Sequence, residues 1–205
     1  MAGPPPWPSH EVLDYILIND DGERLAAGSL EITVSGAQTT LSQSYTSETT
    51  TDSIDVVVDS QTMKPLSSTR SIENDNPDDE DLIEVTYAEA GASVKVGDRQ
   101  TGLSVPEHAY DNDTSLFLWR TLPFADGYEA SYVTVITNRR SRQDVVLNVR
   151  GKETVTVPAG TFECWRLEIS TENARQVAWY ADTPSRPLVK YDNDRDVIFE
   201  LTSKP

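Results

Sequence analysis

The chain has 205 residues and carries 34 acidic against 17 basic side chains, a formal net charge of −17 at pH 7. That balance repels nucleic acid and anionic lipid head groups at long range, which disfavours a nucleic-acid partner. No apolar run approaches the roughly 20 residues of a spanning helix, and a hydrophobic content of 37% suits a sheet with one wet face better than a helical core.

The chain opens MAGPPPWP, without the basic start and apolar stretch of a secretion signal. Proline-rich segments are extended and semi-rigid, so residues 1–10 read as a flexible tail of the kind that tethers a domain behind an anchor. Residues 11–205 then form one β-rich domain. On this reading the chain is a mature segment of the cell envelope or extracellular space whose leader and N-terminal membrane anchor are missing; a cytoplasmic protein is the alternative.

Alternation with period two, broken by Gly, Asp and Asn, dominates the rest of the chain. Residues 12–18 favour a strand, and NDDG at 19–22 supplies the positive φ of a tight hairpin. Residues 28–35 put Leu30, Ile32 and Val34 on one face, the mark of a half-buried antiparallel strand. Further strands are expected at 39–47, 54–58 and 66–72. The run ENDNPDDEDLIE at 73–84 holds seven acids and no base, and its Pro77 and Asx density make it a loop. Residues 82–88 and 93–96 read as a hairpin around Glu89, Ala90 and Gly91.

One stretch looks helical: Asp113 and Thr114 can cap residues 115–122, and Pro123 stops them. Leu116, Trp119 and Phe117 share a stripe, and a helix this short must dock on something apolar. Strands resume at 128–137, 144–150, 154–157, 161–169, 175–181, 188–191 and 197–201, with a hairpin turn at Asp192, Asn193 and Asp194. The sum is about a dozen strands and one short helix. The fold expected is all-β: a single large, strongly curled antiparallel sheet, a half-barrel or barrel-like meander, with the helix plugging its concave face.

The C-terminal third carries VPAGTF at 157–162, WRLE at 165–168, VAWYA at 177–181, PLVKY at 187–191 and FEL at 199–201. This succession resembles an uncharacterised domain family of bacterial envelope proteins marked by a PAGTF turn, an aromatic strand and a final V-K hairpin. In overall shape such domains resemble the lipoprotein carriers LolA and LolB, half-closed antiparallel barrels that hold a lipid in an apolar mouth. The resemblance implies that fold and the handling of a lipid or other hydrophobic ligand; it implies no catalytic residue.

The residues offer little catalytic chemistry. Cys164 needs a histidine, metal or helix N-terminus to become a nucleophile, and with His10 and His108 in distant segments it reads as a small packed residue. Two histidines and one cysteine make a zinc site improbable. Asp192, Asp194 and Asp196, or Asp111 and Asp113, invite calcium but lack the glycine and distal Glu of an EF-hand loop. The basic run Asn138, Arg139, Arg140, Ser141 and Arg142 reads as a solvated hairpin loop. No phosphate loop, G-x-S-x-G elbow or H-E-x-x-H occurs. The expectation is therefore a non-enzymatic protein without metal or cofactor, whose pocket is lined by Leu116, Phe117, Trp119, Leu122, Phe162, Trp165, Trp179 and Tyr180. The alternatives are an enzyme acting on an apolar small molecule in the same mouth, using Arg166, Glu168 or Tyr180, and a purely structural interaction domain.

Overall fold

The computed structural model describes residues 3–75, 81–89 and 91–203. The alternating segments of the N-terminal half form β1 (His10–Ile18), β2 (Arg24–Ser35), β3 (Gln38–Thr46), β4 (Thr50–Asp59) and β5 (Pro65–Asn74). Then come β6 (Asp81–Ala88), β7 (Gly91–Val96), β8 (Arg99–Ser104) and the short β9 (Ala109–Asp111). Beyond the helical segment lie β10 (Glu129–Ile136), β11 (Ser141–Val157), β12 (Gly160–Ser170), β13 (Arg175–Ala181), β14 (Leu188–Asp192) and β15 (Ile198–Leu201). The centre of the acid-rich run, residues 76–80, and Ala90 of the β6–β7 turn lie outside the described residues.

All fifteen strands belong to one sheet, in the order β8 to β1 and then β15 to β9. The first strand pairs with the last, Tyr15 opposite Leu201, so the two halves of the chain meet at the middle of the sheet. Two features of the expected sheet need correction. It is mixed, because β9 runs parallel to β10: the helical segment between them is the crossover that a parallel pair requires. It is also open, with β8 and β9 as its two ends.

Two of the expected strands, 144–150 and 154–157, are one continuous β11. Gly151 takes φ +81°, and the register slips between Val149 and Lys152, so the extra residue is absorbed as a bulge rather than a break. The turn of Pro158 and Ala159 then reverses the chain, pairing Val157 with Gly160 and laying β12 against β11.

The helical segment is tighter than expected. A 3-10 turn at Asn112–Thr114 leads into α1 (Ser115–Leu118) and a second 3-10 turn at Trp119–Thr121. The cap is Asp111, whose carboxylate accepts the Asp113 amide at 2.9 Å; Thr114 instead donates its hydroxyl to the Asp111 carbonyl. Leu116, Phe117, Leu118, Trp119 and Leu122 are buried in the main core together with alternate residues of both halves of the sheet. A smaller cluster of Ile83, Val85, Ala92 and Val94 sits in the β6–β7 hairpin.

Polar bonds fasten this segment to strands remote in the sheet order. Gln43 of β3 donates to the Asp113 carbonyl, and Tyr87 of β6 donates to the Asp111 carboxylate. From Gly3 on, the proline-rich segment is held too: the Gly3 amide donates to the Thr121 carbonyl, and Trp7 lies buried under the Arg120 guanidinium.

Candidate functional site

Three hairpin turns, at 137–140, 171–174 and 193–197, connect β10 to β11, β12 to β13 and β14 to β15, so antiparallel pairing gathers them at one end of the sheet. Directly opposed residues of an antiparallel pair project to the same side. The pairs Thr134–Gln143, Ile169–Gln176 and Tyr191–Phe199 accordingly form one wall of a cavity. The pair Gln43–Ile54 from β3 and β4, with Tyr45, lines it from the other half of the sheet. Ser115, Leu116 and Trp119 of the helical segment close its depth, and Asn138, Arg139, Asn193 and Arg195 stand on the turns at its rim. The cavity measures about 450 Å³.

Its interior is ordered by hydrogen bonds. The Trp119 indole donates to the Tyr132 hydroxyl at 3.0 Å, and Ser115 Oγ lies 3.2 Å from the same oxygen. Burial pushes the Tyr132 phenol up to about 12, and burial likewise raises Tyr45 and Tyr191, so these hydroxyls stay protonated at neutral pH. Tyr45 donates to Gln43 Oε1. Thr134 is buried on the wall, and its Oγ1 has no hydrogen-bond partner among the described residues, a state that costs about 1–3 kcal/mol when nothing else satisfies it.

Acidic and basic groups meet on one flank. Arg70 grips Asp52 with both arms of its fork, at 2.9 and 2.5 Å. Burial raises the Asp113 carboxyl, against the pull of the Arg70 charge. Asp111, fully buried behind it, is pushed up to about 7 by burial and by the Asp113 charge.

Of the side chains expected to line a pocket, Leu116 and Trp119 do line this cavity. Phe117, Leu122 and Tyr180 are buried core; the Tyr180 hydroxyl donates to the Leu116 carbonyl at 2.8 Å and so positions the helical turn. Phe162, Trp165 and Trp179 are half-buried at the margin of the core. Trp165 stacks on Phe124 at 6.2 Å and donates to Asp182, while Trp179 donates to Glu153. The residues that sequence reasoning missed are mostly polar: Gln43, Thr134, Gln143 and Gln176 occupy alternating strand positions, and Arg139 and Arg195 sit in turns.

Cys164 is fully buried, and burial pushes its thiol up to about 12. The carboxylates proposed for calcium are committed to backbone amides: Asp192 accepts from Asp194, Asp194 from Arg175, and Asp196 from Asp20, at 2.7 to 2.9 Å. Arg166 and Glu168 pair with each other at 2.7 Å, away from the cavity lining. No helix of the described residues is long and apolar enough to cross a membrane.

Fold and site together define an all-β protein whose single open sheet flanks a cavity of ligand size. A model of the family described as a protein of unknown function, DUF3108, matches residues 14–197, and the chain belongs to that family. The fold is similar to that of a β-barrel-like protein of another domain of unknown function, DUF1849, from Brucella abortus. The two share 10% sequence identity over 95% of each chain, with a TM-score of 0.62. A candidate lipoprotein from Parabacteroides distasonis aligns over 99% of each chain at 13% identity, but its TM-score of 0.38 is too low to show a shared fold. The same holds for a candidate exported protein with a YmcC-like fold from Bacteroides fragilis, at 12% identity, 99% coverage of each chain and a TM-score of 0.35. No curated protein matches the chain.

Proposed function

We propose that this protein is a non-enzymatic binder of a small amphipathic ligand, with the sheet bent around the ligand as a half-barrel and the helical turn as its floor. The observation that carries the reading is the cavity itself: its 450 Å³ lie within the roughly 300–1,000 Å³ of small-molecule sites. Its lining mixes aromatic and aliphatic side chains (Trp119, Leu116, Phe199) with polar ones (Ser115, Gln43, Thr134, Gln176), and its rim is polar, so it suits a ligand with an apolar body and a polar end better than a wholly apolar lipid. The bend is supported by the bonds from Gln43 and Tyr87 to Asp113 and Asp111, which tie β3 and β6 to a segment attached to the opposite end of the sheet. The proposed setting is the cell envelope, where the LolA-like and LolB-like shape implied by the C-terminal motifs is used to carry lipids.

Native mass spectrometry of protein purified without detergent, with organic extraction of the same sample, tests the binding. The reading expects one small molecule per chain that extraction releases. Ligand-free protein alone, with nothing extracted, contradicts it. Fractionation of the producing cell tests the location.

An enzymatic reading has one observation in its favour: Asp113 is a buried carboxyl with a raised pKa on the cavity wall, the profile of a general acid or base. Neither histidine nor Cys164 lines the cavity to support it. Turnover of the extracted molecule by wild type and not by Asp113→Asn protein would favour this reading.

A further inference from the structure

We propose that the ligand carries an anionic group held at the cavity mouth by Arg139 and Arg195, with a single apolar tail lying deeper against Trp119, Tyr191 and Phe199; this rests on the reading that the cavity binds a ligand. Both arginines line the cavity from hairpin turns, and both are exposed. Among the described residues neither guanidinium pairs with a carboxylate, whereas Arg70, Arg120, Arg150, Arg166, Lys95, Lys152 and Lys190 all do. The acids nearest in sequence to Arg195 form no ion pair with it: Asp194 and Asp196 each accept a backbone amide, at 2.7 and 2.9 Å.

Five of the chain's 17 basic residues (Arg139, Arg140, Arg142, Arg175 and Arg195) stand on or beside the three turns at this end of the sheet, among the acids Asp144, Glu172, Asp192, Asp194 and Asp196. On this rim of mixed charge, Arg139 and Arg195 are the two guanidiniums of the turns that line the cavity. Guanidinium forks match the paired oxygens of a carboxylate or phosphate. Farther in, the partnerless Thr134 hydroxyl and the amides of Gln143 and Gln176 can bond to a polar linker next to the head group.

Volume limits the tail. The cavity's 450 Å³ lie in the lower part of the roughly 300–1,000 Å³ of small-molecule sites. That space favours one short chain over the two long chains of a diacyl lipid. The occupant is therefore a single-chain amphiphile with a carboxylate or phosphate head, set between the aromatic depth and the arginine rim.

Isothermal titration at low salt tests this with octyl phosphate, octyl glucoside and inorganic phosphate, each below any micelle concentration, against wild type and the double variant Arg139→Gln/Arg195→Gln. Octyl phosphate is expected to bind one per chain, about tenfold or more tighter than octyl glucoside, and to lose that advantage in the variant. Octyl glucoside binding is expected to be the same in both proteins. If octyl phosphate binds wild type and variant alike, or no better than octyl glucoside, the arginine assignment is overturned while the cavity reading stands. Inorganic phosphate binding as tightly as octyl phosphate overturns the assignment of an amphiphile. Failure of both amphiphiles removes the cavity reading and this inference together. Because both arginines are exposed, the variant is expected to melt with the wild type, and that melt is the folding control.

Discussion

Replacing Glu11 by Gln is expected to loosen the helical segment that floors the cavity. Arg120 is 2% exposed and Glu11 10%, and their fork-to-fork contact spans 2.6 and 3.2 Å. The same guanidinium donates to the Ser185 carbonyl at 2.5 Å and lies over the Trp7 ring at 5.3 Å. It thereby joins the helical segment to β1, to the β13–β14 connection and to the N-terminal segment. Removing one partner of a buried pair costs about 3–5 kcal/mol, because the remaining charge is left without compensation. Gln retains one acceptor for Arg120, so the lower end, about 3 kcal/mol, is expected. With a urea m-value of about 2 kcal/mol/M, the midpoint falls by about 1.5 M, read by tryptophan fluorescence. The double variant Glu11→Leu/Arg120→Met removes both charges and is expected to recover most of that loss. The reasoning is refuted if Glu11→Gln shifts the midpoint no more than Glu84→Gln, which breaks the exposed pair with Lys95.

Two further outcomes rest on buried titrating groups. Asp111 is raised from 3.8 to about 7 in the fold, so between those values the folded state holds a proton that the unfolded state has lost. Its contribution to stability is therefore full below about pH 4 and falls as pH rises to about 7; Asp111→Asn is expected to flatten that part of the stability profile, and an unchanged slope would count against the assignment. Burial that pushes Cys164 up to about 12 leaves almost no thiolate at pH 8. Ellman's reagent is expected to leave the native protein unlabelled and to titrate one thiol per chain in urea; rapid native labelling would contradict the burial.

Much of the sheet is readable from alternation alone. Leu30 and Ile32 mark the buried face of β2, and the Pro158–Ala159 turn announces β12. Alternation fails where a strand has no dry face to contrast with a wet one. β8 reads RQTGLS and is exposed along most of its length, while the three residues of β9 are all buried. Neither shows a period of two, and so the parallel edge leaves no trace in the pattern. Gly151 looks like a breaker because its positive φ is compatible with a turn, yet the same freedom lets β11 bulge and continue.

The cavity is legible on its apolar side only. Leu116 and Trp119 stand out as a stripe, but the rim is assembled from turns far apart in sequence. The usable signal lies in polar residues at core-facing positions. Gln43 shares the buried face of β3 with Thr39 and Leu41, and Thr134 shares that of β10 with Tyr132. A buried polar side chain needs a partner or a solvated space, and here both Gln43 and Thr134 border the same one.

The central claim, that this space holds a ligand, is tested most directly by nuclear magnetic resonance of labelled protein titrated with octyl glucoside and, separately, octyl phosphate. Saturable shifts are expected at the Trp119 indole, the amides of Ser115 and Leu116, and the side-chain amides of Gln43 and Gln176, which share the cavity wall. No saturable shift, or shifts confined to the open groove of Ala92 and Leu103 on the β7–β8 hairpin, would contradict it.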